Sequence, residues 1–271
     1  MTQTIAFIGG GNMASAIIPG LRSGNVPAPA LLVVEPFEAA RAKLLSDFGL
    51  GAMESAGPVL AAADMVVWAV KPQSFKEAAA QCAAYTGSAL HLSVAAGITS
   101  DSIARWLGTE RVVRAMPNTP ALIGKGISGL FARAGVGAQE RALVEAVLRS
   151  TGDFLWMDTE AQLDAVTALS GSGPAYVFYF LEAMRSAGVT MGLRAEQAHQ
   201  LAVATFVGAS ELARSARETP EVLRQRVTSR GGTTHAAISA MEDAGVKQLF
   251  ERAMLAARDR AEVMGREFGA S

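Results

Sequence analysis

Short, mainly apolar runs, most of them followed by a break and a helical pattern, recur through roughly the first 155 residues. Ile5–Ile8 is the first such run. Leu31–Val34, Asp64–Val70, Leu90–Val94, Arg111–Ala115, Ile127–Phe131 and Phe154–Met157 follow, with a shorter one near Ala52-Met53, next to Gly49 and Gly51. Ile5–Ile8, Leu31–Val34 and Met65–Val70, which show no polar alternation, predict strands covered on both faces. Helical patterns lie between them, from Pro36 to Phe48, near 57–62, over 73–84 and 101–107, and from Ala138 to about Ser150. Repeated strand–helix units of this kind predict an α/β fold with a doubly wound parallel sheet.

From about Glu160 the pattern changes. No strand candidates remain, and amphipathic helical stretches take over: Leu163–Leu169, Pro174–Ser186, Glu196–Ala216, Glu221–Val227, Thr234–Ala244 and Lys247–Phe268. Ala204, Phe206, Val207 and Ala209 leave little polar face on the third of these, so the helices need a further apolar surface to pack on. A second copy of the chain is the expected one. The reading is therefore two domains, 1–159 and 160–271, the second all-helical.

Composition narrows the classes. Half of the 271 residues are hydrophobic and 18% are charged, which predicts a folded chain. A formal net charge of −1 gives no basic footprint, so no nucleic acid is expected. No apolar run approaches the ~20 residues of a membrane helix, and no basic segment precedes the first strand, so no membrane partner or signal peptide is expected. The single cysteine, Cys82, excludes an internal disulfide and suits a reducing compartment. A soluble, cytoplasmic protein is the expectation.

Candidate chemistry begins at the first break. Gly9, Gly11 and Ala14 fit G-x-G-x-x-A between a buried strand and a helix carrying Met13, Ile17 and Leu21. Strand, glycine turn and helix form the setting in which this motif binds a dinucleotide, and the N-terminal domain is read as Rossmann-like. Gly9 permits the sharp turn, Gly11 lets backbone approach a pyrophosphate, and Ala14 lets the helix pack close. The unpaired N–H groups at the helix start then face the anion. Glu35 lies 21 residues after Ala14, at the end of the second apolar run. A carboxylate there accepts from the ribose hydroxyls of NAD and repels the 2′-phosphate of NADP. Electrostatics alone leans towards NAD or dual use, although Glu35 also simply starts a turn before Pro36. The ends of later runs, Ala69-Val70-Lys71-Pro72, Ala95-Ala96-Gly97 and Met116-Pro117-Asn118-Thr119-Pro120, are expected to line the same crevice.

Two loops stand out in the helical half. Ser170-Gly171-Ser172-Gly173-Pro174 and Ser229-Arg230-Gly231-Gly232-Thr233-Thr234 each enter a helix. A Gly-Gly-Thr-Thr turn at a helix start offers N–H groups and hydroxyls to a carboxylate, or caps the helix in the ordinary way. His91, His199 and His235 show no metal-ligand spacing, and no metal is expected. Nothing in the chain argues for a Ser-His-Asp or Cys-His set.

These motifs together, Phe7 to Ala14, Ala69 to Pro72, Ala95 to Gly97, Arg114 to Pro120, Leu169 to Tyr176 and Gly231 to Thr234, resemble pyrroline-5-carboxylate reductase nearly end to end. The resemblance implies reduction of 1-pyrroline-5-carboxylate, a small-molecule substrate, to L-proline with NADPH or NADH. It implies an all-α C-terminal dimerisation domain, intertwined homodimers and, in many members, decamers. Cofactor binding falls on Gly9, Gly11, Asn12, Met13, Glu35, Ser55, Ala69, Val70, Lys71, Pro72, Ala95, Ala96, Gly97, Asn118 and Thr119. Substrate binding falls on Ser229, Gly231, Gly232, Thr233 and Thr234, with the Thr234 hydroxyl as the catalytic group facing the ring nitrogen. The chain departs from the family pattern twice. Arg230 stands where the family usually has Pro, and Glu35 stands in a family that commonly prefers NADPH. A β-hydroxyacid dehydrogenase of the same plan usually needs a lysine in the region 163–182, which has none.

Overall fold

The computed structural model describes residues 3–24 and 26–269. Its contacts divide the chain into two compact units, Met1–Gly173 with Ala256–Ser271, and Pro174–Leu255. In the first unit β1 (Ile5–Ile8) leads into α1 (Asn12–Ser23), and β2 (Leu31–Val34) into α2 (Glu38–Phe48). Then β3 (Met65–Trp68) leads into α3 (Pro72–Thr86), and β4 (Leu90–Ser93) into α4 (Ser100–Leu107). After β5 (Val112–Met116) come β6 (Gly126–Ala132), α5 (Ala138–Leu148), β7 (Gly152–Trp156) and α6 (Gln162–Val166).

The sheet order is β2-β1-β3-β4-β5-β6-β7. Every neighbouring pair is parallel except β5 and β6, which run antiparallel. The expected doubly wound parallel sheet is found, with this one antiparallel pair as a first correction to it. A parallel return needs a crossover of roughly a dozen or more residues. Residues 117–125 hold only a tight 3₁₀ turn, Thr119–Ile123, so β6 must run back beside β5. The strand expected near Ala52-Met53 is a second correction. Only Met53 pairs, in a single bridge to Val34, because the glycines around it give no side chains for a longer edge strand to pack. The expected helix near 57–62 is a 3₁₀ turn, Pro58–Ala62.

Alternation within each strand divides the core in two. Ile5, Phe7, Leu31, Val33, Met65 and Val67 face α1 and α5 through one buried cluster that includes Ile17 and Val144. Ala6, Ile8, Val34, Val66 and Trp68 face the other way, into a cluster with Phe75 of α3 and Ile103 of α4. The connection leaving β1 through α1 and that leaving β3 through α3 run to opposite faces of the sheet and away from each other in strand order. The C-terminal ends of β1 and β3 therefore form the topological switch point, where open α/β sheets bind ligands.

His91, on β4, is wholly buried. Its Nδ1 accepts from Trp68 Nε1–H at 3.1 Å, so Nε2 carries the proton and donates to the Thr86 carbonyl at 3.1 Å. Burial lowers its pKa to about 4 from 6.5. The folded state thus refuses a proton that the unfolded chain accepts below pH 6.5, and stability falls as pH drops from there to about 4. The slope from this residue is at most about 1.4 kcal/mol per pH unit. Urea midpoints across that window should fall more steeply for the wild type than for His91→Gln, which still accepts from Trp68 but does not titrate. Parallel curves would remove His91 as the cause.

The second unit is all-helical: α7 (Gly173–Thr190), α8 (Ala195–Ser215), α9 (Pro220–Arg226), α10 (Thr233–Asp243) and the first part of α11 (Val246–Gly269). Gly188 lets α7 approach α8, since a Cβ there would stand 2.7 Å from Ala198 Cβ. Tyr176, Phe180 and Phe250 pack edge to face. Phe178, Tyr179, Leu201 and Val207 remain exposed on the single chain, an apolar surface that favours association. Among the described residues no helix is long and apolar enough to cross a membrane.

Candidate active site

The glycine turn after β1 is built against the end of β3. Gly9 has φ +94°, and a Cβ there would lie 2.6 Å from the Ala69 carbonyl oxygen. Ala69 N–H in turn donates to the Ile8 carbonyl at 2.8 Å, which fixes the two loops together. Gly11 is the N-cap of α1 and has no side-chain cap. Nothing lies within 4 Å of where its Cβ would point. The α1 N-terminus therefore presents uncapped N–H groups beside open space, as a pyrophosphate cradle requires. Gly10 was not among the expected cofactor residues, yet a Cβ there would strike Leu44 Cδ1 at 2.5 Å.

A pocket of about 600 Å³ opens at this switch point. Gly9 and Gly11 line it from β1 and its turn, Glu35 to Phe37 from the end of β2, and Ala69 to Lys71 from the end of β3. Its space, its glycine floor and its acidic residue after β2 fit a dinucleotide. Of the expected cofactor residues, Gly9, Gly11, Glu35, Ala69, Val70 and Lys71 line this pocket. Asn12, Met13, Ser55, Pro72, Ala95, Ala96, Gly97, Asn118 and Thr119 are not part of its wall. Asn12 and Met13 start α1, Pro72 starts α3, and Ser55 is an exposed bend residue.

One face of α3 completes the wall with Ser74, Glu77, Ala78, Gln81 and Cys82. None of these was expected from motifs, although their i, i+3, i+4, i+7, i+8 spacing is a legible helix face. Burial pushes the Cys82 thiol up to about 11, so it stays protonated and inert at neutral pH.

The ends of β4 and β5 are held internally. Gly97, at φ +72°, packs under Met264 of α11, whose Cβ a side chain at Gly97 would meet at 3.0 Å. The Asn118 amide is committed to the protein: Oδ1 accepts from Ile127 N–H at 3.0 Å, and Nδ2 donates to the Ser170 carbonyl at 3.2 Å. Ser170 lies in Thr167–Gly171, a widened π turn that replaces the end of the helix expected over 163–169. Asn118 thereby ties the end of β5 to the Ser-Gly-Ser-Gly stretch. A second tie also had no motif to reveal it. Glu160 accepts from Arg114 Nη1 at 2.7 Å and from both the N–H and hydroxyl of Ser100 at 2.5 Å.

In the second unit Ser229, Gly231, Gly232, Thr233 and Thr234 come together in one turn. Gly231 takes φ +77°, and Gly232 N–H donates to the Ser229 carbonyl at 3.0 Å. Gly232 is the N-cap of α10, which has no side-chain cap. The first-turn N–H groups are thus left for a ligand or water. A Cβ at Gly232 would stand 2.7 Å from Ser229 Oγ. Thr234 is half-buried one residue into α10, and Arg230 is exposed. Among the described residues no group of three or more His, Cys, Asp or Glu is placed to hold a metal ion.

Comparison with known proteins agrees with both halves. Residues 4–97 match a family model of coenzyme F420-dependent NADP oxidoreductases. Residues 160–264 match the pyrroline-5-carboxylate reductase dimerisation model. The pyrroline-5-carboxylate reductase of Pseudomonas aeruginosa is 45% identical over 270 residues, 99% of each chain. The structure of a pyrroline-5-carboxylate reductase from Coxiella burnetii superposes with a TM-score of 0.89 at 36% identity, covering 97% of this chain and 99% of that one. That of Plasmodium falciparum pyrroline carboxylate reductase, with NADP bound, gives 0.87 at 28% identity, covering 97% and 98%. On whole-length identity, fold and both glycine turns, the chain belongs to the pyrroline-5-carboxylate reductase family.

Proposed function

We propose that the chain reduces 1-pyrroline-5-carboxylate to L-proline, the last step of proline biosynthesis, using NADPH or NADH. The observation that carries this is the 45% identity to the Pseudomonas aeruginosa enzyme over the whole chain. The geometry supports a division of labour between 1–159, which binds the nucleotide, and 160–271, which binds substrate and a second subunit. Gly9, Gly11, Glu35 and Ala69 to Lys71 hold the dinucleotide. Asn12, Met13, Ser55, Pro72, Ala95 to Gly97, Asn118 and Thr119 shape the rest of its site. Bound NAD(P)H supplies the hydride.

The chain's own task is to orient and to exclude water. The uncapped N–H groups of Thr233 and Thr234 receive the substrate carboxylate, helped by Ser229, Gly231 and Gly232. The Thr234 hydroxyl meets the ring nitrogen and keeps it in its protonated, electrophilic form. No strong acid is needed, because a cyclic imine protonates readily. The helical half self-associates as a homodimer and, on the family pattern, assembles further into a decamer. The protein acts in the cytoplasm without nucleic acid or membrane.

Purified protein should oxidise NADPH or NADH only when pyrroline-5-carboxylate is added, read as loss of nicotinamide absorbance. Binding of nucleotide without pyrroline-dependent oxidation would instead indicate a nucleotide-responsive regulatory protein and defeat the enzymatic reading.

A further inference from the structure

Resting on the cofactor reading above, we propose that the pocket selects NADH over NADPH, with Glu35 as the selecting residue. Glu35 ends β2 and is 5% exposed. Its Oε2 accepts from Gly10 N–H at 2.7 Å and its Oε1 from Phe37 N–H at 2.9 Å. These bonds pin the carboxylate in the pocket wall. Each oxygen keeps lone-pair capacity for a ribose hydroxyl. The group cannot swing away from a 2′-phosphate without stranding two backbone donors.

The surroundings add to the effect. Glu54 and Glu77 share the lining, and Lys71 is its basic side chain among the described residues. Arg41 is turned towards the protein. Its Nη1 donates to the carbonyls of Glu35 at 3.0 Å and Pro36 at 2.7 Å, and its Nη2 lies 3.8 Å from Glu54 Oε2. A 2′-phosphate would bring up to about two further negative charges into a wall with three carboxylates. NADH brings two ribose hydroxyls that the pinned carboxylate can accept from.

The test is binding without substrate. NADH and NADPH are titrated separately into the whole protein, followed by calorimetry, with 5′-AMP and adenosine 2′,5′-bisphosphate as fragments. NADH should bind at least about tenfold more tightly at low salt, and the ratio should narrow as salt screens the carboxylates. The fragments should rank the same way. Glu35→Ser should bring the two cofactors within about threefold of each other. Because Glu35→Ser also strands the Gly10 and Phe37 donors, a Glu54→Gln/Glu77→Gln double variant is the second arm. It keeps both backbone bonds and should strengthen NADPH more than NADH, narrowing the ratio between them several-fold. NADPH binding as tightly as NADH in the wild type overturns the proposal. Loss of that binding in Arg41→Ala would then name Arg41 as the phosphate ligand. NADH preference without turnover of pyrroline-5-carboxylate would uphold the selectivity and defeat the assigned reaction. Failure of both nucleotides to bind would defeat both.

Discussion

Thr234→Ala should lower kcat on pyrroline-5-carboxylate by roughly 10- to 150-fold, the worth of a hydrogen bond to a charged group of about 1.5–3 kcal/mol. Nucleotide affinity measured without substrate should stay within about twofold, because the hydroxyl is assigned to the substrate ring and not to the nucleotide. The fold should not suffer. Gly232, not Thr234, caps α10, and alanine is the better helix former. Loss of activity therefore reports the hydroxyl rather than the helix. Thr234→Ser restores the hydroxyl and should restore most of the rate. If the ring nitrogen is instead held by backbone or water, Thr234→Ala will keep the wild-type kcat and KM, and the residue leaves the mechanism. A rise in KM at constant kcat would mean that the hydroxyl binds ground state and transition state equally.

How much of this was visible in the sequence depends on the kind of interaction. Ile5–Ile8 and Leu31–Val34 are strands with the bounds that the apolar runs suggest, because four successive apolar side chains leave few alternatives. The direction of β6 was not visible as a hydrophobic pattern. It follows from the shortness of residues 117–125, a constraint on the chain and not on its polarity. The π turn at Thr167–Gly171 was equally hidden, since no proline or glycine interrupts the helical pattern before Gly171. At the site, Glu35 was legible by its distance from the glycine turn. That its carboxylate would be held by Gly10 N–H was not, because this bond needs the missing Gly10 side chain and the packing of Leu44 beside it. Asn118 was legible by position in the same way, and its partners were not. Its place at the end of β5 suggested a cofactor contact, while its amide is engaged with Ile127 and Ser170. Spacing reports where a side chain starts, and its partners come from elements distant in sequence.

Gly9→Ala and Gly11→Ala should separate the structural from the binding share of the glycine turn. At Gly9 the added Cβ would lie 2.6 Å from the Ala69 carbonyl oxygen and 2.9 Å from its carbon, with φ at +94°. A left-handed backbone costs an L-residue about 1–2 kcal/mol, and forced overpacking about 1–3 kcal/mol more. The clash is with backbone, and Ala69 N–H is already bonded to Ile8, so no side chain can turn aside to relieve it. Gly9→Ala should therefore lower the first thermal transition by roughly 5–15 °C and weaken nucleotide binding with it. Gly11 sits at φ −75°, ψ −162°, an ordinary extended conformation, and its Cβ would meet nothing within 4 Å. Gly11→Ala should melt within about 2 °C of the wild type. Yet its methyl group enters the open space beside the uncapped α1 N-terminus, where the pyrophosphate would approach. Nucleotide affinity should then drop by about tenfold or more, the effect of inserting atoms into a fitted contact. Unchanged affinity in Gly11→Ala would mean that the pyrophosphate does not pass over that turn. A Gly9→Ala protein with wild-type melting would mean that β1 and β3 separate there more readily than their hydrogen bond implies.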